Sequence, residues 1–437
     1  MVYGFRLPTT SHLSFQTCLS SNTHPSLPQT ASTARHALRI ALKTHKRLPR
    51  GVQQDTHLSS VLNAINDYLP YLLAISHGLG GKPVSNNSNT STEEIEIVLH
   101  AEVEPEWRTT LSSTSPFATL KKSPKSPSSS RARGRGIDFE IGFVLTTLAY
   151  VLANLAHSGV VRALYAAQTP TPEQRTTAVQ TATRHLLQAS AVHSLASASV
   201  DADLAVVPDL NPTTQTALSA LNLAEATLLA VLKDDAYVTT CIQSRNPHDK
   251  DWMVRAPEVP KVRAMLFARL CVRAAEYAEQ AAAGLGSVGP GGKGGVDDEL
   301  VKYAHMLGRV ARARACRFFG VDAELAGKVG DGIAWLRAAK GALGLRNGPT
   351  GVMDGGNAAA AAASKRNMGL SRLKREWAER REERKTERDA GGRDREKSEL
   401  DPGDHAGREE EGRVIEMLET KWVRMNDTVS VQPWDLI

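Results

Sequence analysis

The sequence predicts an all-α fold, and three observations carry that prediction. Only 5% of the 437 residues are aromatic while alanine is abundant, a composition that favours helix over sheet. Six consecutive segments, 138–167, 172–199, 213–243, 258–285, 299–319 and 323–344, repeat their apolar residues at helical spacing. One stretch alone, Glu94 to Trp107, alternates with the period of a strand. With 41% apolar residues the chain can bury a substantial core, which excludes a wholly disordered protein.

Taken in order, residues 1–30 read as extended because Pro8, Pro25 and Pro28 punctuate them. From Thr33 to Lys46 the pattern turns helical, with Ala34, Leu38, Ile40 and Ala41 set between basic residues. Leu58 to Leu79 continues as helix, with an interruption at Pro70 and a close at Gly78 to Gly81. Pro83 to Thr92 is a polar loop. In the alternating stretch Ile95, Ile97, Leu99, Ala101 and Val103 share a face, which predicts a small β element near 94–107. Ser112 to Gly136 is rich in Ser, Pro and Arg and is expected to be a disordered insertion.

The six helical segments are separated by Pro170, Pro172, Pro208, Pro212, Pro257, Pro260 and the run Gly284 to Gly295. Their pairs have the length of tetratricopeptide hairpins, without a clean repeat. Residues 348–413 read as a Gly/Ala linker followed by a charged insertion. Residues 365–413 hold 15 basic and 14 acidic side chains, which marks them as solvated. Val414 to Met425 is amphipathic again, and Asp427 to Ile437 reads as an extended end.

Charge and composition exclude several classes of function. The net charge of +6 is matched by Lys121, Lys122, Lys125, Arg131, Arg133 and Arg135, which lie together with no acid among them. The basic balance is therefore one short segment rather than a folded face, which argues against nucleic acid as a partner. Cys18, Cys241, Cys271 and Cys316 are scattered, which suits a reducing, cytoplasmic setting. The first thirty residues hold no continuous apolar core of a secretory signal, so the sequons at Asn86 and Asn89 are expected to stay unused. Ile141 to Val161 carries no charge, yet Thr146, Asn154 and His157 make it a buried core helix rather than a membrane span.

The chemical motifs fail on inspection. The run Gly284 to Gly295 invites a phosphate-loop reading, but Ser287 stands where that loop needs Gly and Gly294 where it needs Ser or Thr. Cys271 and Cys316 sit in apolar helical patterns, where cysteine packs as a small hydrophobe. The 13 histidines form no metal-binding pair at helical spacing. No catalytic residue, metal or cofactor is expected, and the protein reads as a non-enzyme.

What remains is helical surface. In segment 258–285, Val262, Leu266, Leu270, Ala274 and Tyr277 fall on one face, while Met265, Phe267, Ala268, Cys271 and Val272 are apolar on others. That is more apolar surface than one core contact requires, and it suits a groove for a partner's amphipathic helix. Segment 213–243 is the natural neighbouring wall.

Several stretches carry a family resemblance: MVYGFRLPTT, STARHALRIALKTHKRLPRG, YLPYLLAISHGLGGKP, EVEPEWRTTLSS, GIDFEIGFVLTTLAYVLANLA and MNDTVSVQP. As an ordered set they closely resemble the PalC family of fungal pH-response regulators, built around a BRO-one domain. DFEIGFVLTTLAYVLANLA is similar to the family's Glu-then-apolar helix. LNLAEATLLAVLK and ARLCVRAAEYA are similar to its adjoining helix pair. The resemblance spans nearly the whole chain, apart from insertions near 112–136 and 377–412.

The resemblance implies a curved, all-helical domain with tetratricopeptide-like hairpins and a small strand element. It implies an adaptor of ambient alkaline pH signalling that binds the C-terminal amphipathic helix of the polymer-forming ESCRT-III subunit. The adaptor would couple that subunit to a plasma-membrane pH-sensing complex, upstream of proteolytic activation of a transcription factor. Matching helix to helix places the partner patch on Lys233, Leu266 and Leu270, with Ala230 at its edge where members outside PalC often carry an aromatic residue. It implies a cytoplasmic protein that reaches plasma-membrane or endosomal ESCRT sites through its partners. Two other readings stay open: a helical scaffold in endosomal cargo sorting, or a membrane-surface binder. The latter would use Lys121 to Arg135 or the arginines Arg309, Arg312, Arg314 and Arg317, which otherwise read as solvated helix faces.

Overall fold

The structure is a computed structural model that describes residues 2–81, 84–85, 92–93, 95–111, 131–164, 171–198, 207–243, 263–288, 296–345 and 406–430. These belong to one compact unit, Met1–Leu345 with Pro402–Ile437; a second unit, Arg346–Asp401, lies outside the described residues. The elements are helices α1 (Leu27–Arg47), α2 (Val52–Thr56), α3 (Leu58–Leu79), α4 (Ile137–Leu164), α5 (Pro172–Ala198), α6 (Pro212–Leu232), α7 (Ala236–Gln243), α8 (Ala264–Ser287), α9 (Asp298–Leu325), α10 (Val329–Leu343) and α11 (Arg408–Ser430). Short strands β1 (Leu19–Ser20), β2 (Val84–Ser85), β3 (Thr92–Glu93), β4 (Val98–Leu99), β5 (Glu106–Arg108) and β6 (Arg131–Arg133) lie among the first helices.

The all-α expectation holds, with two differences in the helix bounds: segment 213–243 divides into α6 and α7 where Asp235 caps the second helix, and α9 runs on to Leu325, so that α10 starts at Val329 rather than at 323. Each long helix packs on the next: α1 on α3, then α4, α5, α6, α8, α9, α10 and α11 in turn. The chain opens with one core built from α1, α3, the first half of α4 and Trp107. A second core runs from the later part of α4 to α11 and includes Val2 and Phe5 of the N-terminal segment. α4 and α6 are buried on nearly every face, which is why each is apolar enough to mimic a membrane span. In both, about four-fifths of the most apolar window is buried inside the protein.

Glu140, at the head of α4, is buried inside the first core together with the charge of Arg35. Its carboxylate pairs with Arg35 of α1 at 2.8 Å and accepts from the Trp107 indole at 2.7 Å and the Tyr68 hydroxyl of α3 at 3.1 Å. A fully buried carboxylate is tolerated only with such a set of donors.

The structure corrects four readings. α1 begins at Leu27 rather than after residue 30, because Pro28 sits in the first turn, where its missing N–H costs nothing. α3 runs unbroken through Pro70, its packed face of Tyr68, Leu72 and Ile75 outweighing the lost hydrogen bond. The stretch 94–107 is not one alternating strand: β4 pairs with β1, β5 pairs with β6, and Leu99 is 53% exposed rather than facing inward with Val103. α11 extends from Arg408 to Ser430 and takes in Asp427. Residues 431–437, the remainder of the expected extended end, lie outside the described residues.

Two insertions are smaller than their composition suggested. Within 112–136, Arg131–Arg133 form β6 against Glu106–Arg108, and Arg131 and Arg133 both pair with Glu106. Arg135 lies 3.9 Å from both Glu102 and Glu104. Half of the basic cluster is thus matched by the acids of 102–106, and Ser112–Ser130 with its three lysines lies outside the described residues. Within 348–413, α11 already begins at Arg408. The Gly284 to Gly295 run is helical as far as Ser287, and Gly284 is needed there because a Cβ would sit 2.8 Å from the Ala217 Cβ on α6.

Candidate functional site

In its C-terminal half α6 leaves one line of accessible residues, Leu223, Thr227 and Ala230, continued by Lys233 just past its end, each three or four positions from the last. Ala230 is exposed; Lys233 is half-buried and caps the helix, its N–H donating to the Leu229 carbonyl at 3.0 Å. Asp234 follows and pairs with Arg263, just before α8, at 3.1 Å. That pair ties the end of α6 to the start of α8, so Lys233 and the first turns of α8 lie at the same end of the helix pair.

α8 buries Ala264, Phe267, Ala268, Cys271, Ala274, Ala275 and Ala278, an inner face repeating every three or four residues. Its outer face carries Leu266 at 54% exposure, with Met265 and Val272 also exposed and Arg269 and Arg273 between them. Leu270, one turn beyond Leu266, is half-buried and rests on the core. The expected stripe is therefore a slope: Leu266 stands in solvent, Leu270 leans inward, Ala274 is core. Val262 lies outside the described residues.

The structure brings Lys233, Leu266 and Leu270 to one end of the α6–α8 pair and adds residues that sequence reading missed. Met265 lines an open groove of about 530 Å3 with Phe319 and Ala323 of α9 and Trp335 of α10. Trp335 is 41% exposed, and its ring centroid lies 5.1 Å from that of Phe319. Asp322, Lys328 and Asp331 stand at the same groove. In sequence Trp335 looks like the anchor of an ordinary amphipathic helix, and nothing in its spacing distinguishes an outer aromatic from an inner one.

Beneath this surface the reading of Arg314 and Arg317 as solvated is overturned. Both are completely buried. Arg314 donates to Glu411 of α11 at 2.9 Å, and Arg317 bridges Glu411 at 2.5 Å and Asp235, at the start of α7. Burial pushes the Glu411 carboxyl up, but the two guanidiniums overcome this and hold it below its usual value. Glu411 falls in the mixed-charge stretch 365–413, whose composition reads as solvated, whereas its side chain is fully buried. Arg312, by contrast, is exposed and pairs with Glu279 at 2.6 Å.

The cysteines follow their packing. Burial pushes the Cys271 thiol up to about 12 and that of Cys241 up to about 11, the opposite of an activated nucleophile. Among the described residues no group of three His, Cys, Asp or Glu side chains is placed to hold a metal ion.

No family model matches the chain. A curated relative, the pH-response regulator protein palC of Emericella nidulans, is 64% identical over 441 residues, covering 99% of this chain and 84% of that protein. Among solved structures the fold resembles a Bro1 domain studied for endosomal targeting: TM-score 0.50, 12% identity, covering 100% of this chain and 88% of that one. A complex of the ALIX Bro1 domain with CHMP4C gives a TM-score of 0.49 at 15% identity, covering 79% of this chain and 80% of that one.

Proposed function

The chain belongs to the palC family of pH-response regulators, and from that premise we propose that it is a non-catalytic adaptor of alkaline pH signalling. It binds the C-terminal amphipathic helix of the polymer-forming ESCRT-III subunit and couples that subunit to a plasma-membrane pH-sensing complex, upstream of proteolytic transcription factor activation. The identity to a pH-response regulator over the whole chain is the observation that carries the role. The outer face of α8 supports the partner: Leu266 stands exposed beside Met265, flanked by Lys233 and the Trp335 groove. A helix laid across it would bury its apolar side on Leu266 and Leu270 and set an acidic residue against Lys233, with Ala230 at the edge. Among the described residues no ion pair involves the Lys233 ammonium.

In the cell the protein is cytoplasmic and reaches plasma-membrane or endosomal ESCRT sites through its partners. The pairing of Arg131, Arg133 and Arg135 with Glu102, Glu104 and Glu106 weakens the case for a basic membrane-binding surface there. The test is a pull-down with the ESCRT-III tail helix, run beside growth of a deletion strain at alkaline pH. Loss of binding on Leu266→Asp, together with failure of alkaline growth, supports the reading. Normal alkaline growth with defective endosomal cargo sorting would replace it by the sorting scaffold.

A further inference from the structure

The buried charge cluster lies under the proposed site, and its members come from three distant parts of the chain. Asp235 sits two residues beyond Lys233, Arg314 and Arg317 lie in α9, and Glu411 lies in α11. All four side chains are fully buried, and their formal charges cancel. Asp235 also caps α7, its Oδ1 accepting from the backbone N–H of Tyr237 at 3.2 Å and of Val238 at 3.4 Å. One guanidinium, that of Arg317, therefore joins α11 to the corner that carries Lys233. The same residue reaches α8 by a second route: its guanidinium lies 4.4 Å over the Phe318 ring, which packs at 5.3 Å against Phe267, the neighbour of Leu266.

We propose that Glu411 is a positioning residue for the partner site: through Arg317 it holds Asp235, and with it the Lys233 corner and the first turn of α8, in the binding arrangement. The inference rests on the reading of Lys233 and Leu266 as the partner site. A buried charge whose partner is removed cannot stay where it is at low cost, so losing the Glu411 carboxylate leaves Arg317 to pull on Asp235 alone. The helix that supplies Glu411 is fastened elsewhere. Glu419 pairs with Lys340 and Arg337 of α10, and Arg408 donates to the Leu343 carbonyl at 3.1 Å. α11 can therefore stay docked while the charge cluster is altered.

The test uses the full chain and two variants, Glu411→Gln and Asp235→Asn; asparagine can still cap α7 through its Oδ1, so the second variant keeps the cap while it removes the charge and the Oδ2 acceptor that faces Arg317. The probe is a labelled peptide of the ESCRT-III C-terminal helix, read by fluorescence anisotropy, with amide exchange followed in parallel. Both variants are expected to lower affinity at least about tenfold, and coupling between the sites must be reciprocal. Glu411→Gln should then speed exchange in 236–243, and Asp235→Asn should speed it in 408–418. Unchanged affinity, with each variant's faster exchange confined to its own helix, would overturn the proposal. Global loss of protection in both would also overturn it, by assigning the cluster to core stability alone. If Glu411→Gln alone unfolds, Asp235→Asn decides by the same two readouts. If the unaltered protein does not bind the peptide, the partner reading fails, while the reciprocal exchange still decides whether Glu411 governs the corner.

Discussion

The N-terminal segment is fastened to the second core by side chains that grip its backbone, and one of them is a carboxyl with an unusual titration. Glu225 of α6 accepts from the Tyr3 N–H and the Tyr303 hydroxyl, each at 2.8 Å, and its second oxygen has no partner among the described residues. Burial raises its pKa from 4.5 to about 7, with the Tyr303 and Tyr3 hydrogen bonds opposing. The folded protein thus holds this proton over a range where the unfolded chain has released it. Stability contributed by the group is complete below about 4.5 and is lost as pH rises toward about 7, with no further change above. At 1.36 kcal/mol per pH unit the span is worth about 3 kcal/mol.

Glu225→Gln isolates this effect, because glutamine keeps the acceptor for Tyr3 and Tyr303 and does not titrate. Thermal unfolding of both proteins between pH 5 and 8 gives the difference curve. Its expected course is a wild-type advantage at pH 5 that shrinks by a few degrees in Tm by pH 7.5. A difference that stays flat across that range, or grows with pH, would refute the assignment of the titration to Glu225.

Three further outcomes follow from burial and pairing. Leu266→Asp should fold with nearly unchanged Tm, since the side chain is exposed, yet lose binding to the ESCRT-III tail peptide; Leu270→Asp should lower both, and a Leu270→Asp protein with wild-type Tm and affinity would exclude that residue from site and core alike. Arg35→Ala should destabilise by about 3–5 kcal/mol, because it strands Glu140 in the first core, whereas Arg35→Met with Glu140→Gln should cost clearly less; equal denaturation midpoints would contradict this. Cys271, with its thiol pushed up to about 12, should resist iodoacetamide at pH 8 in the folded protein and react only after denaturation, as mass spectrometry of the alkylated peptide would record.

The long helices were legible because each must bury an apolar face, and that need writes itself into the spacing of residues such as Phe267, Cys271, Ala274 and Ala278. What stayed hidden depends on residues far away in sequence. Leu99 alternates like an inward strand residue, yet it is 53% exposed although its ladder partner Leu19 is buried, so what covers a residue at this sheet edge is not written in the alternation. Glu411 belongs to a run of mixed charges that any compositional reading calls solvated; only the return of α11 to α7, α9 and α10 gives it Arg314 and Arg317 as partners. The candidate site divides along the same line. Its outer members, Leu266 and Lys233, were reached through the family resemblance, matched helix to helix, and not from spacing, which puts the half-buried Leu270 on the same face as the exposed Leu266. Trp335 was not, since whether it faces the core or the groove depends on how α10 meets α9. That meeting is close: a Cβ on Gly320 would sit 3.1 Å from the Gly332 carbonyl and 3.3 Å from the Trp335 Cβ. Two small residues, one on each helix, thus let the backbones approach and set the indole at the groove rather than between the helices, and a pattern read one helix at a time cannot register such a pair.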